Sequence, residues 1–395
     1  ICVMLLILSS GCPTVAAANS NAPNPSISGV PSTAPGRLLR NGNGLYPRVV
    51  RLAHSGIANG TLVASVVDAD SGTGVIYRSL DQGVKFTEIG DIRDPLASHG
   101  LCCSTLFELP KQIGSMPAGT LLWAASVGQN SAPRRMALDL WRSQDQGATW
   151  APLSACQLSN NTGGLWEPEL SVDKSGELAC YYSDETSPQQ HSQSLQERFS
   201  SNGINWSTAY PIVAPNNVAL RPGMSIVIPL ANGSYYMTYE VCGTHDQYDC
   251  AVHFRTSADG RKWGTPTDVG PMITTAAGEY FTHAPFVAWS NNGSLHGRPV
   301  LIGQQFRESN GAIAPASGRV MLINTKEGRG SWLPVKAPVA VPSPDASYCP
   351  NYSSALLPLS PSSKRLLEIA TAYDGKVCKP YYAIGSLPSL SQPLP

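Results

Sequence analysis

The stretch GGLWEPELSVD places Glu167 and Glu169 two residues apart, beside Trp166 and Pro168. A carboxyl group held against indole and proline loses water, its charged form is penalised, and it can carry a proton at neutral pH. Glu240 is the second candidate. It follows four aromatic or β-branched residues in NGSYYMTYE, so it leaves a buried strand and needs a partner there. Arg221, in the block RPGM one strand earlier, is expected to be that partner and to keep Glu240 ionised. Two carboxyl groups facing one pocket are what glycoside hydrolysis uses: one protonates the leaving oxygen, the other attacks the sugar or activates water. The competing reading makes Glu167 a solvated strand end, with Glu169 able to replace it on the same strand face.

Other chemistries find little support. The chain has no HExxH, no paired CxxC, no EF-hand spacing, no G-x-S-x-G and no P-loop, so no metal and no cofactor is expected. Lys and Arg number 27 against 27 Asp and Glu, which leaves no basic field for a phosphate backbone, so nucleic acid is not an expected partner. With 14% charged residues, 36 glycines and 33 prolines in 395 residues, the composition suits many short strands joined by tight turns.

A repeat must position these residues. SLDQGVKF (79–86), SQDQGATW (143–150), SSNGINW (200–206) and SADGRKW (257–263) resemble one another, and TKEGRGSW, ending at Trp332, is a degenerate fifth copy. A turn plus aromatic recurring at roughly 60 residues marks radial or solenoid architecture. Runs such as TLVASVV, GELACYYS and MSIVIPL, with NG, SG and DG turns and no long amphipathic helix, argue antiparallel β throughout. Four strands per unit and about six units predict an all-β, six-bladed β-propeller over residues 45–390. The turns resemble the Asp-box of sialidase-like propellers, in which Asp and Ser cap the turn backbone and Gly takes a positive φ. Asp81, Asp145 and Asp259 are therefore read as structural.

Propeller order then selects a ring of residues on the opposite face. First-strand starts fall at Arg48, Cys102 with Cys103, Glu167, Arg221, His283 and Tyr352; second-strand ends fall at Asp68, Ser126 to Gln129, Asp184, Glu240, Gln304 to Arg307, and Tyr373 with Asp374. Glu167, Glu240 and Tyr352 are the catalytic candidates. Arg48, Trp166, Asp184, Arg221, His283, Gln305 and Tyr373 are the candidate substrate contacts. Arg48 and Arg221 equally suit structural partners of carboxylates, His283 equally suits packing, and Asp68, Asp184 and Asp374 equally suit strand ends.

The N-terminus reads as an export signal. ICVMLLIL followed by Ala16–Ala18 resembles the remnant of a signal peptide over residues 1–18, too short to span a bilayer, with 19–44 as a flexible leader. LSSGC offers lipid anchoring at Cys12 as the alternative to full secretion. Eight further cysteines suggest disulfides, with Cys242–Cys250 the first pair to try because it clips one short loop. Sequons at Asn59, Asn160, Asn205, Asn232, Asn292 and Asn351 fit a secreted glycoprotein.

The blocks WEPEL, GELACYYSDE, RPGM, NGSYYMTYE, NYSSALLPL and LLEIATAYDGKVCKPYY, in this order from about Tyr46 to Tyr382, resemble the exo-acting α-1,5-L-arabinofuranosidases, or exo-arabinanases. That resemblance implies a retaining, two-glutamate double displacement that releases arabinobiose from arabinan, with Glu167 and Glu240 as the carboxylates and Tyr352 as the assisting tyrosine. It favours Glu167, inside the WEP triplet, over Glu169. Environment would make Glu167 the acid and Glu240 the nucleophile, and a monomer is the expected state. Sialidases are the nearest rival, yet they clamp an anionic sugar with three arginines, and here blade four carries Arg221 then Glu240, the reverse of the sialidase order. A non-catalytic glycan-binding propeller is the other alternative. The loop GTHDQYDC and the stretch HGLCCSTLFELP depart from the core blocks and bear on linkage and product length.

Overall fold

The computed structural model describes residues 36–290, 297–360 and 364–388. The signal remnant, Cys12 and the Asn292 sequon lie outside the described residues. Among the described residues no helix is long and apolar enough to cross a membrane.

Alternation of apolar and polar residues folds the chain into six antiparallel sheets, each wound from the inside outward. Blade one runs Leu45–Arg51, Leu62–Asp68, Thr73–Ser79 and Thr87–Arg93; blade two runs Leu101–Glu108, Leu121–Val127, Ala137–Ser143 and Ala151–Leu158. Blade three comprises Leu165–Val172, Leu178–Asp184, Ser194–Ser200 and Tyr210–Val213. Blade four has Arg221–Pro229, Tyr235–Cys242 and Ala251–Ser257, extended by Tyr280–Thr282 and Gln305–Arg307. Phe286–Ser290, Arg298–Ile302, Val320–Ile323 and Leu333–Lys336 make blade five. Blade six contains Ala355–Pro358, Arg365–Asp374 and Val377–Ser386, and its outer strand is Arg37–Leu38, paired through Arg37 with Tyr382. Part of the segment expected as a leader thus closes the ring. The predicted six-bladed propeller is the observed fold.

The repeated turns are held by short-range hydrogen bonds. Gly83 N and Gly147 N each donate to the Oγ of the serine four residues earlier, Ser79 and Ser143, at 2.9 Å. Asp81 and Asp145 accept from Lys85 N and Thr149 N, also at 2.9 Å. In the degenerate fifth copy Asn324 does this work, accepting from Lys326 N at 2.7 Å and Gly328 N at 2.9 Å. Trp263 and Trp332 then bury in the core. All these turns sit at the end of each blade away from the candidate carboxylates.

Disulfides join Cys102 to Cys103, Cys156 to Cys180, Cys242 to Cys250 and Cys349 to Cys378. The 242–250 clip is the one anticipated. Cys156–Cys180 ties the outer strand of blade two to the second strand of blade three.

One core position carries a charge problem. Glu368 is fully buried in blade six, takes a hydrogen bond from Val339 N at 2.7 Å on Oε2, and has no partner on Oε1 among the described residues. Burial raises its pKa to about 8, opposed by that amide. Because the folded pKa lies above the unfolded one, the stabilisation is full below about pH 4.5 and is lost as pH rises to about 8. In Glu368→Gln, urea unfolding measured from pH 5 to pH 9 is expected to show a flatter pH dependence, with a gain of roughly 5 kcal/mol over the parent at the alkaline end.

Candidate active site

A left-handed residue other than glycine stands at the mouth of each blade's innermost strand. Tyr46 (φ 47°), Cys103 (62°), Glu167 (54°), Met224 (57°), the pair His283 and Ala284 (63° and 46°) and Ser353 (53°) occupy equivalent places in blades one to six. In blades one to four the register with the second strand slips at this point. Such bulges cost roughly 1 kcal/mol or more each, and they turn a backbone amide or a side chain inward.

Glu167 is half-buried on the bulge of blade three. Its Oε2 accepts from Ser183 Oγ at 2.6 Å and from Met224 N, on the bulge of blade four, at 3.2 Å. Glu240 lies near the end of the second strand of blade four, is buried, and accepts on Oε2 from Ala284 N, a left-handed residue just before the innermost strand of blade five, at 2.7 Å. Each candidate carboxylate therefore receives the amide of a left-handed residue in the next blade. Glu169 goes elsewhere: Thr105 Oγ1 of blade two donates to it at 2.8 Å. Glu169 thus has a partner in blade two that Glu167 lacks, while the Val227 amide of blade four also acts on it.

Burial dominates the electrostatics. It raises Glu167 to about 7, against hydrogen bonds from Ser183 and Met224, and raises Glu240 to about 8, against the Ala284 amide and with the Glu167 charge adding to it. Glu169 is also raised to about 7 by burial, with Arg48 opposing. The elevated Glu167 follows the sequence-based expectation. The expectation that Arg221 would hold Glu240 ionised is corrected, because Arg221 ion-pairs with Glu185 and donates to Gln193 Oε1 at 2.7 Å and Ser192 O at 3.0 Å. Its influence on Glu240 comes after those of burial, the Ala284 amide, Glu167 and Asp249.

The remaining sequence candidates distribute around this pair. Tyr352 is buried, its hydroxyl 3.3 Å from Met224 Sδ, with its ring edge-on to Tyr46 at 5.6 Å and to Tyr348 at 5.3 Å. Burial and the neighbouring Tyr46, Glu240 and Glu167 push its pKa well above the usual range, so it stays a phenol. His283 lies with Nδ1 3.9 Å from Glu240 Oε2, and burial with Arg307 lowers it to about 4, which leaves the ring neutral. Trp166 is buried under the Arg134 guanidinium at 5.1 Å.

Arg48 is buried and donates to Pro47 O and Ser353 O at 2.8 and 3.1 Å. Asp184 caps its own turn through Thr186 N at 2.7 Å. Gln305 is committed to Pro344 O at 3.1 Å and to Arg307 Nη2 at 2.7 Å, on a strand that leaves blade five for the outer edge of blade four. Tyr373 is exposed beside the hairpin tip of blade six.

Several residues at the centre escaped the sequence reading. Tyr46, Tyr348, Ser183, Arg134 and Glu185 were not singled out, although Ser183 and Glu185 stand in the quoted YYSDE block. Glu185 joins three elements: its carboxylate pairs with Arg221 of blade four and with Arg134 at 3.5 Å, and accepts from Gly164 N at 3.1 Å, three residues before Glu167. Cys242, Cys250 and His283 lie close together, but both sulfurs are spent in a disulfide and offer no thiolate to a metal.

No protein-family model and no curated protein matches the chain. Solved structures do match. An α-L-arabinanase of Penicillium chrysogenum, complexed with arabinobiose, aligns at 26% identity and TM-score 0.72 over 87% of this chain and 93% of that one. A GH93 α-L-arabinofuranosidase of Fusarium graminearum, also with arabinobiose, aligns at 23% identity and TM-score 0.71 over 87% and 93%. A Dyadobacter fermentans protein of unknown function aligns at 13% identity and TM-score 0.55 over 89% and 97%. The family that the sequence blocks resemble is thus among those whose solved structures this chain matches over most of its length.

Replacing Glu185 removes a negative charge that helps raise Glu167. In Glu185→Gln, carboxyl-detected NMR titration is expected to move the Glu167 midpoint down by roughly half a unit to one unit while that of Glu368, in a distant blade, stays in place.

Proposed function

We propose that the protein is a secreted, monomeric glycoside hydrolase that attacks α-1,5-linked L-arabinan exo-wise and with retention, releasing arabinobiose. The observation that carries this reading is the coupled pair Glu167 and Glu240, each raised by burial and each seated on a neighbouring blade's amide. One proton carried by the pair at neutral pH would supply both an acid and a carboxylate. Likeness to arabinobiose-bound structures supports the substrate class, and four disulfides support export.

The hydrogen bonds favour a division of labour opposite to that expected from sequence. Glu167 accepts two donors and Glu240 one, so Glu167 is the better carboxylate and Glu240 the better proton donor. Glu240 first protonates the glycosidic oxygen as Glu167 attacks C1; the carboxylate of Glu240 then deprotonates the water that breaks the glycosyl–Glu167 bond. Tyr352, kept as a phenol, can donate to the nucleophilic carboxylate, and His283, kept neutral, adds no competing acid. The sialidase alternative is disfavoured because Arg48, Arg221 and Arg307 are bound to protein groups, Arg307 to Thr282, Gly311 and Gln305. A neutral sugar needs no such clamp.

Linear arabinan, debranched arabinan and a sialoside separate the readings. Arabinobiose from the first two is expected, reduced by about 10²-fold or more in Glu167→Gln and in Glu240→Gln. Sialic acid release would overturn the proposal, and glycan binding without turnover would favour the non-catalytic propeller. With azide and an activated aryl arabinoside, Glu240→Ala should yield the retained azide and Glu167→Ala the inverted one. Since the active state holds one proton on the pair, kcat/KM should fall below about pH 7, where both carboxyls are protonated, and above about pH 8, where both are ionised.

A further inference from the structure

We propose that Asn232 carries an N-linked glycan whose first sugars lie in the cleft between blades four and five, on the face opposite the carboxylates, and that the sequon at Asn351 stays unmodified. This inference stands apart from the hydrolase reading, and activity plays no part in its test.

Asn232, Gly233 and Ser234 form the tip of the turn joining the first two strands of blade four. Asn232 Oδ1 accepts from Ser234 N at 2.9 Å and from Ser234 Oγ at 2.6 Å, which fixes the amide with Nδ2 directed across the turn, 3.4 Å from Glu327 Oε2 of blade five. Asn232 is exposed, and the space around Gly233 is open. The same asparagine lines a cleft of about 460 Å³ with Phe254, Leu230, Thr256, Glu327 and Arg329. That volume falls within the roughly 300–1,000 Å³ of small-molecule clefts. Phe254 stacks one face on Tyr236 at 5.2 Å, and Glu327 and Arg329 pair at 3.2 Å on the opposite wall. An aromatic floor with a polar wall is the lining that suits a sugar: apolar C–H faces meet the ring, and hydroxyls meet the charged groups.

Asn59, Asn160 and Asn205 are also exposed. Asn351 is the opposite case. It is buried, its Nδ2 donates to Gly303 O at 2.9 Å and Gln304 O at 3.1 Å, and its Oδ1 accepts from Ser354 Oγ at 2.9 Å. A sugar on that nitrogen would replace one of its two N–H donors, break at least one of these bonds and have to fit at a buried position.

In the transfer, Asn232 Nδ2 displaces lipid diphosphate from C1 of a lipid-diphosphate-linked oligosaccharide. The N–C1 bond forms, the C1–O bond to phosphate breaks with its electron pair leaving on the diphosphate, and one amide proton passes to the transferase. For the test, the full chain is secreted from a eukaryotic host and deglycosylated in heavy-oxygen water, which marks each formerly modified asparagine. Label is expected at Asn232 and absent from Asn351. Hydrogen exchange then compares the glycosylated protein with Asn232→Gln and Ser234→Ala, each of which loses the acceptor. Exchange over residues 254–258 and 327–329 should be several-fold slower in the glycosylated protein, with blade two unchanged. An unlabelled Asn232, a labelled Asn351 in folded protein, or equal exchange in all three overturns the proposal.

Discussion

Every feature of the candidate site depends on a backbone that turns left-handed at the mouth of each innermost strand. L-residues resist that conformation because Cβ crowds the neighbouring carbonyl. Here Glu167, Met224 and Ala284 hold it within three successive blades, so that the amide freed in one blade feeds the carboxylate of the blade before. The ring therefore works as a chain of neighbours. A blade cannot complete its own acid, because the amide on which the acid sits belongs to the next sheet.

Much of the architecture was legible because its causes are local. Ser, Asp and Gly at fixed spacing make turns wherever they occur, and period-two strands between them leave few alternatives. Counting strands from those turns placed Glu167 and Glu240 on one rim. The bulges were not legible, since no glycine or asparagine stands at Tyr46, Cys103, Glu167, Met224 or Ser353 to announce a positive φ. Nor was the partner of Arg221, because Glu185 and Gln193 reach it from blade three across a blade boundary that strand order does not encode. Gln305 misled the count for a similar reason: its strand crosses to blade four.

Electrostatics at the rim are governed by loss of water more than by opposite charge. Three glutamates, 167, 169 and 240, are all raised chiefly by burial, although arginines stand nearby. Those arginines are consumed elsewhere, Arg221 by Glu185 and Arg48 by the carbonyls of Pro47 and Ser353. Hydrogen bonds, not ion pairs, then separate the two candidate carboxylates in character: each takes an amide from the next blade, and the Ser183 hydroxyl, which only Glu167 receives, supplies most of the difference.

The strand that closes the ring is only two residues long, Arg37 and Leu38. On the inner side of the same seam, Tyr46 of blade one meets Tyr352 of blade six, and Arg48 reaches Ser353 O across it. The short clasp of the circle and the tyrosine pair at its inner side share one joint. Warming that parts the first blade from the last would loosen the tyrosines while the left-handed residues of blades three to five still held both carboxylates, so thermal inactivation would begin as a loss of pocket shape and end as a loss of fold.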